Sequence, residues 1–310
     1  MKAVSVHRLR CAQVSSWFLS RAAQSSKGSY GHVLIVAGSR GMGGAAALAA
    51  WGAYRGGAGL ATVAVVKSLF GMIVKRAPLE AMVLSLPESA AGGLTAGSLR
   101  KLKEYMIRRK ITSLAVGPGL SLNSGTRAFM HALLQWLARS RFPLQCLVLD
   151  ADGFMALKPR ASEPLNPFAL PIIVTPHSRE LARFMNISTD AVEFQRLVVA
   201  EKFAKLNRVI TLLKGSGTVI TDGRQTFINT TGNPGMATGG SGDVLTGLIS
   251  ALSGNLRTDL SDPLLKIACA GAYLHGAAGD LAAKKTGELS LMATDIASFL
   301  PLAVKHLLGA

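Results

Sequence analysis

The stretch Asn233–Asp243, NPGMATGGSGD, runs directly into the apolar sequence VLTGLI, which has the composition of a buried helix. Its glycines 239, 240 and 242 free the backbone to turn N–H groups inward where that helix begins. The positive end of the helix dipole lies at the same place and favours an anion. We therefore predict an anion hole formed by Gly239, Gly240, Ser241 and Gly242.

Asp243 lies in the first turn of this predicted helix, beside the anion-hole donors. A carboxylate is common there as an ordinary helix N-terminal residue. Next to a phosphate cradle, it also has the position to accept a proton from an attacking hydroxyl group. A glycine-rich turn alone is more often structural, but the aspartate and the loops described below favour Asp243 as a general base.

Apolar runs of strand length recur along the chain, and each ends in a loop rich in glycine or polar residues. The runs are His32–Ala37, Leu60–Val66, Ser113–Val116, Cys146–Leu149, Ile172–Val174 and Val209–Leu213. Helical stretches such as Ala45–Tyr54 separate them. Continuously apolar strands with intervening helices imply a mainly parallel sheet covered on both faces, with ligands at the carboxyl ends of the strands. The predicted fold is a three-layer α/β/α domain.

The last third of the chain changes pattern. Asp222-Gly223-Arg224 separates two short β-rich runs, which predicts a hairpin and antiparallel strands at the end of the sheet. Helices are expected to begin near Gly242, Pro263 and Thr294. No composition break marks a second domain, so we expect residues 27–310 to form a single domain and residues 1–26 to form an N-terminal extension or lead-in helix.

Composition excludes several classes of protein. The chain has 310 residues, of which 49% are hydrophobic and 16% charged, so disordered, collagen-like and coiled-coil proteins are excluded. Charges or polar clusters interrupt every apolar run before the roughly 18 residues that a membrane span needs. The three cysteines are far apart, which argues against a disulfide framework or a zinc site. We expect a soluble, cytoplasmic protein.

The formal charge of +17 is distributed unevenly, because no acidic residue precedes Glu80. A second basic run, Arg100–Lys110, contains a single glutamate. Nucleic-acid binding is one interpretation. Because no aromatic-interleaved or helix-turn-helix pattern accompanies the charge, we favour electrostatic steering of phosphorylated ligands and expect no specific nucleic-acid partner.

The stretch NPGMATGGSGDVLTG resembles the nucleotide and catalytic loop of the ADP-dependent NAD(P)H-hydrate dehydratases, which belong to the ribokinase-like superfamily. Further motifs occur in the order of that family: KGSYGHVLIVAGS, VGPGLS, LDAD, TPHSRE, LLKGSGTVIT, AYLHGAAGDLAA and LMATDIASFLP. Together they are specific, although none is specific alone. No epimerase domain precedes Lys27, so the chain resembles the stand-alone form of the dehydratase.

The resemblance implies a ribokinase-like fold and a repair reaction. The S epimer of NADHX or NADPHX, a nicotinamide nucleotide hydrated on its ring, would be dehydrated to NAD(P)H while ADP is cleaved to AMP and phosphate. ADP would be the co-substrate, with Mg²⁺ as the accompanying ion, although no metal ligand is identified in the sequence. A separate NAD(P)HX epimerase in the same pathway and a homo-oligomer, a tetramer, are also implied.

The resemblance also implies roles for individual residues. The hydrate-binding positions would be Ala45, Gly119, His177 and Asp243. The nucleotide-binding positions would be Lys214, Gly215, Ser216, Gly217, Thr218 and Gly240. His275, in LHGAAGD, is more readily interpreted as a buried packing residue than as a ligand.

The chain departs from the family at two loops. Ser178-Arg179 stands where the family has Pro-Gly, which puts the geometry of that loop in question, while Glu180 remains as an expected helix N-terminal carboxylate. Gly153-Phe154 replaces Ala-Leu and is expected to loosen its turn. The neighbouring Asp150 and Asp152 either organise a divalent ion through water or cap a helix, and capping is slightly favoured.

Two other functions remain open from the sequence. One is a ribokinase-like small-molecule kinase of the hydroxymethylpyrimidine or hydroxyethylthiazole type, because the glycine-rich loop and Asp243 also suit a kinase. The other is a catalytically silent, basic protein that binds nucleotides or RNA. The Lys27–Gly31 opening and the TPH loop favour the dehydratase over the kinase, and the intact GGSGD argues against lost catalysis.

Overall fold

The computed structural model describes residues 5–158 and 164–309, and ten strands of this part form one sheet. The strands are β1 (Ser5–Arg8), β2 (His32–Val36), β3 (Leu60–Val66), β4 (Met82–Leu86), β5 (Ser113–Val116), β6 (Cys146–Leu149), β7 (Ile172–Val174), β8 (Ile210–Leu213), β9 (Val219–Thr221) and β10 (Gln225–Ile228). Their order in the sheet is β1-β10-β9-β8-β7-β6-β5-β2-β3-β4. The runs expected to be strands are all strands, with ends shifted by one residue at most.

The sheet is mainly parallel. β4, β3, β2, β5, β6, β7 and β8 pair in parallel, and the antiparallel pairs in the described residues are β8–β9 and β9–β10. This arrangement confirms the predicted hairpin around Gly223 and the predicted parallel core. The central strands are buried along their whole length, because helices cover both faces.

The helices of the described residues are as follows. They are α1 (Cys11–Ser15), α2 (Gly43–Arg55), α3 (Phe70–Arg76), α4 (Ala96–Arg109), α5 (Ser124–Ser140), α6 (Ala151–Met155), α7 (Ser178–Met185), α8 (Thr189–Phe194), α9 (Arg196–Asn207), α10 (Ser241–Leu252), α11 (Pro263–Thr286) and α12 (Ala293–Leu308). α2, α10, α11 and α12 pack together, whereas α4 packs on α5 and α7 on α8. The predicted starts of the last three helices are confirmed within one residue.

The contact between α2 and α10 is unusually close because each helix presents a glycine to the other. A Cβ atom at Gly52 would overlap the carbonyl of Val244, and one at Gly247 would overlap the carbonyl of Ala49. Because glycine has no side chain to hold the helices apart, the backbones of α2 and α10 pack directly against each other at these two positions. The position of α10, which begins with the glycine-rich loop, is fixed in this way.

The N-terminal segment contributes to the sheet, a role that its sequence does not indicate. β1 pairs in parallel with β10, and the N–H of Leu9 donates to the carbonyl of Ile228 at 3.0 Å. α1 is short, and Val14 and Trp17 are buried in the common core. The strand escapes prediction because all four of its residues are exposed and carry no apolar alternation.

No helix in residues 5–158 and 164–309 has the length and apolar character that crossing a membrane requires.

Candidate active site

Loops from four neighbouring strands meet at the carboxyl edge of the sheet. Gly119 follows β5, Asp150 follows β6, His177 follows β7 and Lys214 follows β8. Because these strands are parallel neighbours, their carboxyl ends lie side by side. The start of α10 lies at the same edge, since a Cβ atom on Gly242 would lie only 3.4 Å from Lys214 Nζ. The structure therefore brings the sequence-predicted residues to one place.

The glycine-rich turn before α10 presents free backbone donors. The N–H groups of Gly239, Gly240 and Gly242 have no protein acceptor within the described parts of the chain. The N–H of Ser241, which was predicted as a fourth donor, points instead to the carbonyl of Thr238 at 3.4 Å. Unpaired donors at a helix N-terminus attract anions. Three of the four predicted anion-hole amides thus remain available.

Gly240 cannot be replaced without distorting this turn. Its φ of +89° lies in the left-handed region that favours glycine. A Cβ atom there would also overlap the side chain of Leu48 on α2 and lie 3.2 Å from the Cβ of Ala293 at the start of α12. Residues of α2 and of the start of α12 therefore confine the turn at Gly240.

Asp243 occupies the first turn of α10 and is half-buried. Burial raises the pKa of Asp243 to about 7, and the negative charge of Asp150 acts in the same direction. The positive charge of Lys214 opposes both effects. A carboxylate with a pKa near neutrality combines partial ionisation with useful basicity, as a general base requires.

Asp150 and Lys214 form an ion pair directly beneath the turn. Lys214 Nζ lies 2.8 Å from Asp150 Oδ1, which also accepts a 2.7 Å hydrogen bond from the hydroxyl of Thr175. Burial alone would lower the pKa of Lys214, but the charges of Asp150, Glu180 and Asp243 outweigh it and raise the pKa. The lysine therefore stays charged and close to the base.

The helix-capping interpretation of Asp150 is wrong. Asp150 lies at the N-cap position of α6, but its side chain makes no capping hydrogen bond. The buried carboxylate of Asp150 instead accepts hydrogen bonds from Lys214 and Thr175. Asp152 accepts a 2.8 Å hydrogen bond from the N–H of Ser121, so it ties two loops of the edge together.

His177 and Glu180 cap α7 reciprocally. The Nδ1 atom of His177 accepts from the N–H of Glu180 at 3.2 Å, and the carboxylate of Glu180 accepts from the N–H of His177 at 2.8 Å. Glu180 is thus the helix N-terminal carboxylate that the sequence suggests. The imidazole remains half exposed at the edge, while the backbone of His177 forms a parallel β-bridge with the backbone of Lys214. The Ser178-Arg179 departure leaves a regular helix start.

Ala45 and Gly119 adjoin the anion hole. Gly119 has φ of +63°, and a Cβ atom on it would lie 3.3 Å from the Cβ of Ala45. Ala45 is in the first turn of α2, and Leu48 in the following turn contacts Gly240. The two residues implied to bind the hydrate therefore form a continuous surface with the turn that carries Asp243.

The loop 214–218 forms the other side of the edge. Gly215, Ser216 and Gly217 are exposed, and the hydroxyl of Thr218 donates to the carbonyl of Gly215 at 2.9 Å. Arg196 supports this loop from below: its guanidinium donates to the carbonyl of Lys214 at 3.1 Å. No sequence signal identifies Arg196, because a basic residue at the start of a helix has no distinctive spacing.

One face of α11 holds the glycine-rich loop in place. His275 is buried, and its Nε2 atom donates to the carbonyl of Ser241 at 2.9 Å. Burial lowers the pKa of His275 to about 4, so the ring is neutral at physiological pH. Asp280 accepts from the N–H of Gly232 at 2.9 Å and from the amide of Asn233 at 3.0 Å. His275 is thus a packing residue, as expected, that also supports the loop.

The expectation that Gly153-Phe154 loosens its turn is wrong. A Cβ atom on Gly153 would overlap the end of β5, so the glycine allows α6 to lie tightly against that strand. Phe154 is fully buried and stacks on Phe184, with 4.5 Å between ring centroids. The departure from the family pattern therefore produces dense packing beneath Asp150.

The carboxylates described at this edge do not form a metal site by themselves. In residues 5–158 and 164–309, no three His, Cys, Asp or Glu side chains are grouped closely enough to hold a metal ion. Mg²⁺ commonly binds through one or two carboxylates together with substrate phosphates. The second carboxylate oxygen of Asp150, which lies 3.8 Å from the position of a Cβ atom on Gly242, fits an ion of that kind.

A family model described as NAD(P)H-hydrate dehydratase matches residues 33–302 of this chain. The bifunctional NAD(P)H-hydrate repair enzyme of Moorella thermoacetica is 41% identical over 302 residues, covering 96% of this chain and 54% of the relative. The chain thus spans about half the length of the curated relatives that it matches.

Solved structures give the same result. An ADP/ATP-dependent NAD(P)H-hydrate dehydratase from Bacillus subtilis, co-crystallized with ATP/Mg²⁺, superposes with a TM-score of 0.81 at 28% identity. The match covers 98% of this chain and 100% of that one. A hydroxyethylthiazole kinase from Pyrococcus horikoshii reaches a TM-score of 0.54 at 14% identity over 89% of this chain and 91% of that one, which shows a common fold alone.

These matches confirm the family and the ribokinase-like fold that the motifs predict. The match at 41% identity extends along nearly the whole chain, and the loops that carry the motifs converge on one edge of the sheet. The chain belongs to the NAD(P)H-hydrate dehydratase family.

Proposed function

We propose that this chain dehydrates the S epimer of NADHX or NADPHX to NADH or NADPH, with cleavage of ADP to AMP and phosphate. The observation that carries the proposal is the position of Asp243. It is a half-buried carboxylate with a pKa of about 7, in the same turn as three backbone N–H groups that have no acceptor among the described residues. The adjoining surface of Ala45 and Gly119 would then receive the hydrated ring.

Asp243 acts first in this mechanism. Its carboxylate accepts the proton of the ring hydroxyl, whose oxygen attacks the terminal phosphorus of ADP while AMP leaves. The N–H groups of Gly239, Gly240 and Gly242 stabilise the charge on the transferred phosphoryl group. Such donors stabilise the transition state without reorganisation because the fold already holds them in place.

Elimination completes the reaction. Hydroxide is a poor leaving group and phosphate is a good one, so phosphorylation converts a slow dehydration into a fast one. The C–O bond breaks, phosphate leaves with the electron pair, and a proton lost from the neighbouring ring carbon completes the restored double bond. Atoms balance as hydrate and ADP on one side and NAD(P)H, AMP, phosphate and a proton on the other.

Lys214 acts on the nucleotide side of the site. Its ammonium is anchored by Asp150 but remains partly accessible at the edge, next to the exposed loop Gly215–Gly217. A phosphate entering the anion hole would lie within reach of this charge, since Gly242 is adjacent to it. We propose that Gly215–Thr218 and Gly240 contact the nucleotide. Mg²⁺ arriving with the nucleotide would be held by its phosphates and by the second carboxylate oxygen of Asp150, and it would neutralise phosphate charge.

Several accompanying expectations stay predictions. They are ADP as the co-substrate, hydrate contacts by His177, a single domain over residues 27–310, a homo-tetramer, a separate epimerase acting in the same pathway, and a cytoplasmic location. The relatives named bifunctional support only the general association with nicotinamide repair.

A single assay tests the proposed reaction. The protein is incubated with chemically prepared hydrate, ADP and magnesium, and the return of reduced-nicotinamide absorbance is followed, with Asp243→Asn as the matched inactive control. Omission of ADP should abolish the signal, and replacement by ATP measures the nucleotide preference. A small-molecule kinase or a silent binding protein would regenerate no absorbance, and that result would reject the proposal.

A further inference from the structure

A cavity of about 290 Å³ lies at the amino edge of the sheet, opposite the candidate active site. Its walls include His32, Leu60 and Met82, the first residues of β2, β3 and β4. The active-site loops follow the other ends of parallel strands, and a five-residue strand spans roughly 13–16 Å. The cavity is therefore separate from the site of the proposed reaction.

Among the residues that the structure describes, four cationic side chains and no acidic ones line this cavity: Lys27, Arg108, Arg109 and Lys110. None of them makes an ion pair with any residue in the described ranges. Four like charges around one concavity repel one another, and a bound anion would relieve that repulsion. The cavity thus has the electrostatics of an anion site.

Helix capping does not account for the whole cluster. Arg108, Arg109 and Lys110 end α4, where cations favour the negative end of the helix dipole. Lys27 comes from a distant part of the sequence, and its carbonyl packs so closely on Gly59 that a Cβ atom there would overlap it. The fold therefore places a fourth cation, Lys27, beside the other three, and the dipole of α4 does not explain its position.

The remaining walls limit the kind of ligand. Both ring nitrogens of His32 form hydrogen bonds, Nδ1 with the carbonyl of Arg109 at 3.3 Å and Nε2 with Thr62 Oγ1 at 2.8 Å. Burial lowers the pKa of this histidine. The histidine is therefore neutral and adds no charge to the site. The volume lies at the lower end of small-ligand pockets, whereas a nucleic-acid strand needs an extended basic groove.

We propose that this cavity binds a diphosphate group, either inorganic pyrophosphate or the diphosphate of a small nucleotide, at a site separate from the active site. The motif KGSYG, which the proposed reaction does not use, supplies one of its four cations. A diphosphate carries several negative charges on two linked groups, so one ligand of this kind can pair with more than one of the four cations.

Lysine acetylation of the unmodified protein tests the location. Acetylation rates at each lysine are measured by mass spectrometry with and without pyrophosphate, and with ADP in a parallel series to distinguish the two sources. At a concentration about ten times Kd, Lys27 and Lys110 should react about tenfold more slowly, because occupied sites are protected. Lys305, an exposed lysine in the last turn of α12, is the internal control and should be unaffected.

A pair of double variants tests the cations. Arg108→Ala with Lys110→Ala removes two charges from the end of α4, and Arg139→Ala with Arg141→Ala removes two from the end of α5, outside the cavity. Pyrophosphate affinity, measured by calorimetry, should fall about tenfold in the first variant and remain near wild type in the second.

Several results would overturn the inference. Protection of Lys214 alone would place pyrophosphate only in the anion hole. Equal loss of affinity in the two double variants would indicate a general effect of net charge. Protection of Lys27 and Lys110 by a short RNA, at concentrations where pyrophosphate gives none, would make the surface a nucleic-acid site instead.

Discussion

Replacement of Asp243 by Asn should inactivate the protein and stabilise it at the same time. The amide keeps the size of the side chain and its place in the first turn of α10, but it cannot accept a proton. A positioned general base contributes about 10²–10⁴ to turnover, and we expect a loss in that range. The stabilisation arises because the folded protein holds this carboxylate where ionisation is unfavourable.

The sign and size of the stabilisation follow from the pKa of Asp243. That pKa is about 7 in the folded protein, raised mainly by burial, against an ordinary value of 3.8. Between these values the folded state keeps its proton and the unfolded state does not, so wild-type stability falls as pH rises from about 4 to about 7. The full difference corresponds to about 4 kcal/mol, and residual solvent around the side chain reduces our expectation to about 2 kcal/mol.

The assay is chemical denaturation of wild type and Asp243→Asn, followed by circular dichroism on either side of this pH range. The free energies of unfolding should agree near pH 4 and differ by about 2 kcal/mol in favour of the variant near pH 8. Asp259→Asn is the control, because hydrogen bonds from Arg257 hold the pKa of that exposed carboxyl below its usual value. A stability difference independent of pH would refute the raised pKa, and near-wild-type turnover would refute the assignment of the base.

Three further changes test the surrounding site. Asp150→Asn removes a negative neighbour of Asp243, so the pH at which kcat is half-maximal should fall by about one unit, and an unchanged pH profile would contradict the coupling. Gly240→Val should weaken ADP binding, measured by calorimetry, and should lower turnover as well. The valine side chain has no space beside Leu48, and residue 240 has a left-handed backbone conformation. Unchanged ADP affinity in a folded variant would count against the anion hole. If the charge of +17 steers anionic substrates, kcat/KM should fall as added salt shortens the Debye length from about 10 Å to about 3 Å, while kcat stays level. A kcat/KM that does not change with salt, together with tight RNA binding in a gel-shift assay, would contradict that interpretation.

The sequence predicts the central strands of the fold well and its periphery poorly. Buried parallel strands such as β2 and β5 are continuous apolar runs, so composition and length identify them. β1 has four exposed residues and becomes a strand only because β10 offers an unpaired edge, which is a tertiary effect. A pattern within one segment contains no information about a pairing partner more than two hundred residues away.

Motif residues at the site are predictable for the same local reason, whereas their partners are not. Glycines 239, 240 and 242 and Asp243 form one short stretch whose backbone requirements are visible in the sequence. The ion pair of Asp150 with Lys214 joins loops after two different strands, and the local signal at Asp150 suggested a helix cap instead. Arg196 supports its loop from another helix and has no signal at all.

The features that suit this edge for chemistry each oppose folding. Within the described residues, three backbone donors have no acceptor, and burial disfavours the charged form of Asp243. Gly240 is fixed in a left-handed conformation, and a glycine loses more conformational entropy on folding than any other residue. Contacts distant in sequence offset these costs: α2 packs on α10 through paired glycines, and His275 and Asp280 of α11 hold the loop at both ends. The base and the anion hole are therefore held by helices behind the loop, which leaves the donors themselves free for a phosphoryl group.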